Sequence, residues 1–243
     1  MRSLTKLLLA ITLTTGTASY TIAKSSSIIT IAQNTEDRHI SGFSSVEVGG
    51  SFDVFITQGS TESVKVTAPS DIISNIITEV EGGVLKIHTK KGSNWNDVFG
   101  HKKIVVYVSA KTLNGIALAG SGDVRFDQGV HGNAFKLRLS GSGDLSGKLD
   151  VKTLETSLSG SGDIKISGKA DDSSISIAGS GDFSGKDLVT NSTSIRVAGS
   201  GDAKVNVNQK LDASVVGSGD IYYTGGVKQV STSKAGSGDI HRM

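Results

Sequence analysis

Seven aspartates recur at a near-constant interval: Asp123, Asp144, Asp163, Asp182, Asp202, Asp220 and Asp239, each closing a Gly-Ser-Gly-Asp tetrapeptide. The tetrapeptides begin at Gly120, Gly141, Gly160, Gly179, Gly199, Gly217 and Gly236, and subtraction gives spacings of 21, 19, 19, 20, 18 and 19 residues. Carboxylates brought above one another at this period are the side chains best placed for chemistry. At about 5 Å, neighbouring charges repel by about 1 kcal/mol in water and by more where water is excluded. Something must offset that repulsion. A column of calcium ions is one answer, since calcium takes several carboxylate oxygens, but the calcium-binding repeats carry a nine-residue Gly-Asp signature that this chain lacks. The preferred reading is structural: each carboxylate accepts backbone N–H groups at its own bend, as in an Asx turn. No metal, cofactor or catalytic set is assigned on this column.

A second candidate is the stretch from Lys90 to Lys103. It holds the only tryptophan, Trp95, with Phe99 nearby and Lys90, Lys91, Lys102 and Lys103 flanking it, and it has no strand alternation. Aromatic and basic groups on a loop suit a sugar or an acidic envelope polymer; the plainer reading, which we prefer, is aromatics tucked over the end of the fold. The five histidines show no metal-binding spacing, and no serine sits in a nucleophile elbow. Gly-Ser-Gly-Asp lacks the lysine and the following helix of a phosphate loop.

What positions the aspartates is the repeat itself. A period near 20 residues means stacked units, none of which buries its apolar face alone. Two residues before the first glycine stand Leu118, Leu139, Leu158, Ile177, Val197, Val215 and Lys234; directly after the aspartate stand Val124, Leu145, Ile164, Phe183, Ala203, Ile221 and Ile240. These positions share one parity with both glycines, so a strand sends them to one face and the serine and aspartate to the other. The apolar period is 2, and β-branched residues fill it. This predicts an all-β fold: a right-handed parallel β-solenoid of about 19–20 residues per coil.

Residues 116–243 are expected to form the regular coils, and 39–115 an irregular N-terminal cap continuous with them. Within the cap, Gly50-Ser51-Phe52-Asp53 reads as a degenerate repeat, Ser70 as the N-cap of a short helix, and Ile77–Glu81, Gly82-Gly83 and Val84–Thr89 as a hairpin with a tight turn. Lys234 and Arg242 fall at inward positions of the last coil, where charge would blunt an exposed edge; the alternative is that the solenoid end docks on a partner or a second copy.

The first 23 residues read as an export signal, with Arg2 and Lys6 before the apolar run Leu7–Leu13 and small residues ahead of Ala23. That run is too short to span a bilayer, and no later segment is a candidate span. Residues 24–38 read as a flexible leader. With residues 1–23 removed, 23 basic residues face 23 acidic ones, so a nucleic-acid partner has no electrostatic support. Cysteine is absent, which excludes disulfides, thiolate metal sites and a cysteine nucleophile.

The lead-in Leu113-Asn114-Gly115-Ile116-Ala117-Leu118, the iterated tetrapeptide and the opening from Phe43 to Asp53 together resemble the putative auto-transporter adhesin head GIN domain family, over about residues 40–240. The resemblance implies a parallel β-helix-like fold and an extracytoplasmic bacterial location, and it carries over no catalytic residues. The chain ends four residues after Asp239, so no translocation barrel is expected behind the repeat. The expected function is that of a non-catalytic exported envelope or surface scaffold, an adhesin or binding module for a surface polymer or protein. The alternative is a polysaccharide-acting β-helix enzyme using carboxylates on the solenoid face, and against it the seven tetrapeptides run unbroken.

Overall fold

The computed structural model describes residues 33–90 and 102–243. They form a parallel β-solenoid of about seven turns, nearly all strand. The regular coils are β8 (Gly115–Gly120), β9 (Val124–Gly141), β10 (Leu145–Gly160), β11 (Ile164–Gly179), β12 (Phe183–Gly199), β13 (Ala203–Gly217), β14 (Ile221–Thr224), β15 (Gln229–Gly236) and β16 (Ile240–Arg242). Successive coils pair in parallel with like repeat positions in register, so Gly120, Gly141, Gly160, Gly179, Gly199, Gly217 and Gly236 form one column.

Alternation produces the wall. In β10, Leu145, Gly147, Leu149 and Val151 are buried while Lys148 and Asp150 are exposed. Two consecutive exposed residues, Lys152 and Thr153, reset the parity at a corner, after which Leu154, Thr156 and Leu158 turn inward. The interior is therefore built of aliphatic columns. One runs Val48, Leu118, Leu139, Leu158, Ile177, Val197, Val215, and each member is at most 1% exposed. Each such side chain contributes about 1.5–3 kcal/mol of burial, and its contacts lie a full coil away in sequence.

The N-terminal end departs from sequence order. β2 (Ser45–Gly50) and β3 (Asp53–Gln58) form a coil that lies directly on β8 and β9, with Gly50 in register with Gly120 although 70 residues separate them. The chain between makes an excursion outward. It runs through β4 (Ser63–Pro69), a 3-10 turn (Ile73–Asn75), β5 (Ile76–Glu81) and β6 (Val84–Thr89), and returns as β7 (Val105–Ala110). β6 pairs in parallel with β2, and β7 with β3, so β6 and β7 make one further coil. β5 and β4 close that end antiparallel to β6 and β7, covering the edge an open solenoid would expose.

Two expectations need correction. Part of the supposed leader, Gln33–Asp37, is strand β1, antiparallel to β4, with the Thr35 and Thr67 hydroxyls bonded at 2.8 Å. These residues carry no apolar signal because the strand is made by edge pairing, not burial. Ser70 caps no helix: the turn is three residues long, has no side-chain cap, and is held instead by the buried Ile72, Ile73 and Ile76. At the far end, Lys234 is in register with the buried Val215, at the inward position of the last coil. All of β15 is exposed, and the Lys234 ammonium turns back onto the Asp239 carboxylate. The export signal expected over residues 1–23, and residues 24–32 of the expected leader, lie outside the described residues.

Candidate functional site

Both tetrapeptide glycines are required by the stacking. A Cβ on Gly162 would stand 2.0 Å from the carbonyl oxygen of Gly143 in the coil beneath. Gly160 carries the same conflict at 2.2 Å and adds a φ of +128°, a conformation that side chains disfavour. The glycines therefore let backbone rest on backbone, a different reason from the room for an inward bend that the repeat alone suggests. Phe52, the one departure, belongs to the coil that rests on β6 and β7.

The aspartates do not close their own bends. The N–H of Asp163 donates to Oδ1 of Asp144 at 3.1 Å, that of Asp182 to Asp163 at 3.0 Å, Asp202 to Asp182 at 2.7 Å, Asp220 to Asp202 at 2.8 Å and Asp239 to Asp220 at 2.7 Å. Each carboxylate thus ties its coil to the next, through a charge-assisted bond that offsets the repulsion along the column. Asp123 meets the Arg125 guanidinium at 3.5 Å. Asp239 accepts from the Lys234 ammonium, and that hydrogen bond and charge hold its carboxyl below its ordinary value. Among the described residues, no group of three or more His, Cys, Asp or Glu side chains is arranged to hold a metal ion.

Beside this column runs a second outward row, five residues after each first glycine. Pairing places Tyr107, Phe55, Arg125, Ser146, Lys165, Ser184, Lys204, Tyr222 and His241 on nine adjacent strands, all exposed or half-exposed. Phe55 and Tyr107 stack at 5.5 Å and Tyr222 and His241 at 5.4 Å, so an aromatic pair stands at each end. The Tyr222 hydroxyl donates to Asp220 Oδ2 at 3.1 Å, which raises the phenol above its ordinary value. Lys165 and Lys204 make no ion pair among the described residues. Between row and column lies an open groove of about 460 Å³, running from Asp123 to Lys204. Its lining carries six carboxylates (Asp123, Asp127, Asp144, Asp163, Asp182, Asp202) and three cations (Arg125, Lys165, Lys204).

The other sequence candidates are dispersed. Lys91, Trp95 and Phe99 lie outside the described residues. Lys90 is exposed and its N–H donates to the Asn75 carbonyl at 2.8 Å. Lys102 bonds Asp71 at 2.6 Å, holding that carboxyl below its ordinary value, and Lys103 stands 3.5 Å from Asp53. Of the groove, the repeat aspartates were named from the sequence, but the row beside them was missed. Arg125, Ser146, Lys165, Ser184 and Lys204 were readable from the aligned repeats, but Phe55 and Tyr107 meet only through the pairing of β3 with β7.

A solved structure of a putative adhesin from Bacteroides fragilis is similar over 87% of this chain and 97% of its own, at 25% identity and a TM-score of 0.81. A putative lipid binding protein from Parabacteroides distasonis is 26% identical, with 87% and 96% covered and a TM-score of 0.69. A putative adhesin from Parabacteroides merdae, 21% identical with a TM-score of 0.67 over 87% and 96%, shares the fold. No curated protein matches the chain. The family model described as putative auto-transporter adhesin, head GIN domain, matches residues 42–226, and the chain belongs to that family.

Proposed function

We propose that this protein is a non-catalytic, exported binding module of the bacterial envelope or surface, an adhesive scaffold whose working face is the groove beside the aspartate column. The observation that carries this reading is the groove's form: a shallow trough repeating the same outward positions over five coils, lined by charged and hydroxyl groups. Such a surface suits an extended partner better than a small substrate held for reaction. The family's adhesin description and the adhesin-named structure from Bacteroides fragilis support the same reading. Export rests on Arg2, Lys6 and the apolar run Leu7–Leu13. No helix among the described residues is long and apolar enough to cross a membrane. The test is binding of the purified chain to isolated envelopes and intact cells, with protease shaving of the producing cells to place it. Saturable binding and loss on shaving support the proposal. Absence of binding, or turnover of a polysaccharide panel, overturns it.

A further inference from the structure

Resting on that reading, we infer that the groove binds an uncharged linear glycan laid along the solenoid axis. Three features of the site select this ligand. First, its two walls offer opposite hydrogen-bonding capacity. The aspartate column presents acceptors, with one carboxylate oxygen each of Asp144, Asp163 and Asp182 taken by the N–H of the next coil. The neighbouring row presents donors, with Arg125, Lys165 and Lys204 alternating with Ser146 and Ser184. Column and row are two residues apart on each strand, roughly 6.7 Å. A hydroxyl both donates and accepts, so a ring bearing several hydroxyls can satisfy both walls at once.

Second, the charge balance sorts polymers. Six carboxylates against three cations repel a polyanion. The exposed ammonium groups of Lys165 and Lys204, set among those carboxylates, weaken the groove's hold on a polycation. An uncharged chain meets neither obstacle.

Third, the site repeats. Coils rise about 4.8 Å apart, on the scale of one sugar ring, so a repeating ligand meets repeating rungs. A peptide lacks this match. The backbone groups of the groove's strands are consumed by parallel pairing, so an added strand finds no edge there. Exposed aromatic surface at both ends, Phe55 with Tyr107 and Tyr222 with His241, suits the C–H faces of sugar rings. From Tyr107 to His241 the row spans eight strand steps, about 38 Å.

The experiment is calorimetric titration of the mature chain with β-1,4-linked gluco-, manno- and N-acetylglucosamine oligosaccharides of two to twelve units. Oligogalacturonate and an oligolysine peptide serve as charged probes. Tyr107→Ala and Lys165→Ala are assayed alongside, both surface substitutions whose folding is checked by thermal melts. Expected is binding to at least one uncharged series, with affinity rising up to about eight units and then levelling as the row is filled. Each variant should weaken it by about tenfold, on the order of one anchoring contact. Variant-sensitive binding of oligogalacturonate or oligolysine instead overturns the ligand class and leaves the binding role standing. Envelope binding that neither variant weakens overturns the groove as the site. Loss of envelope binding altogether overturns the binding role itself.

Discussion

Replacing Asp163 separates a carboxylate that ties two coils from one that is merely exposed. Its Oδ1 accepts the Asp182 N–H at 3.0 Å, and its own N–H donates to Asp144. A hydrogen bond to a charged acceptor contributes about 1.5–3 kcal/mol, a neutral one about 1. Against this stand two carboxylate neighbours, each repelling by about 1 kcal/mol in water. Asp163→Asn keeps an oxygen for the Asp182 N–H and removes both repulsions, so its stability should lie within about 1 kcal/mol of the parent. Asp163→Ala gains the same relief but loses the acceptor, so it should fall below Asp163→Asn by about 1 kcal/mol, the neutral bond that Asn keeps. On a chain of this size the two variants should differ by about 2–4 °C in melting temperature per kcal/mol. Because salt screens the repulsion, the Asn variant should lose ground to the parent as ionic strength rises. Urea titrations at low and high salt measure all of this. An Asn variant no more stable than the Ala variant would refute the ladder as a stabilising device.

Gly162→Ala should cost about 3 kcal/mol or more, because its Cβ would stand 2.0 Å from the Gly143 carbonyl oxygen; Gly132→Ala, whose Cβ meets nothing within 4 Å, should be nearly neutral in the same melts. Thr156 is 2% exposed and its hydroxyl has no hydrogen-bond partner, so Thr156→Val should stabilise the fold by about 1 kcal/mol in urea. Phe126→Ala should cost about 3–5 kcal/mol, since the ring is buried against Phe135 at 6.0 Å. His88 is held above its ordinary 6.5 by its bond to the Thr89 carbonyl and then by Glu79 at 3.0 Å. A raised folded value favours the protonated fold, so this contribution is complete below about pH 6.5 and disappears as pH climbs through the raised value. His88→Gln should flatten the melting temperature across that window, measured by calorimetry.

Much of the solenoid was legible in the chain because a fixed period carries its own register. Once the glycines align, Leu118, Leu139 and Leu158 must share a column, and parity sends the aspartates outward. The same alignment does not say which atom bridges two coils, which is why the Asp144 carboxylate was expected at its own bend and is found on Asp163. Strand β1 was illegible for another reason: Gln33–Asp37 pairs by backbone alone and buries nothing. The excursion from β3 to β7 hid the Phe55–Tyr107 pair, since contacts between strands so far apart leave no local pattern. Trp95 drew attention as the single tryptophan, while the repeated and individually unremarkable Ser146, Lys165 and Ser184 line the groove.

The most direct measurement is amide hydrogen exchange at the bends. If carboxylates bridge successive coils, the Asp163, Asp182, Asp202, Asp220 and Asp239 amides, though at the surface, should exchange far more slowly than free peptide. In Asp163→Ala, the Asp182 amide alone among them should lose most of that protection. Exchange of all five at the rate of solvent-exposed amides would contradict the inter-coil ladder.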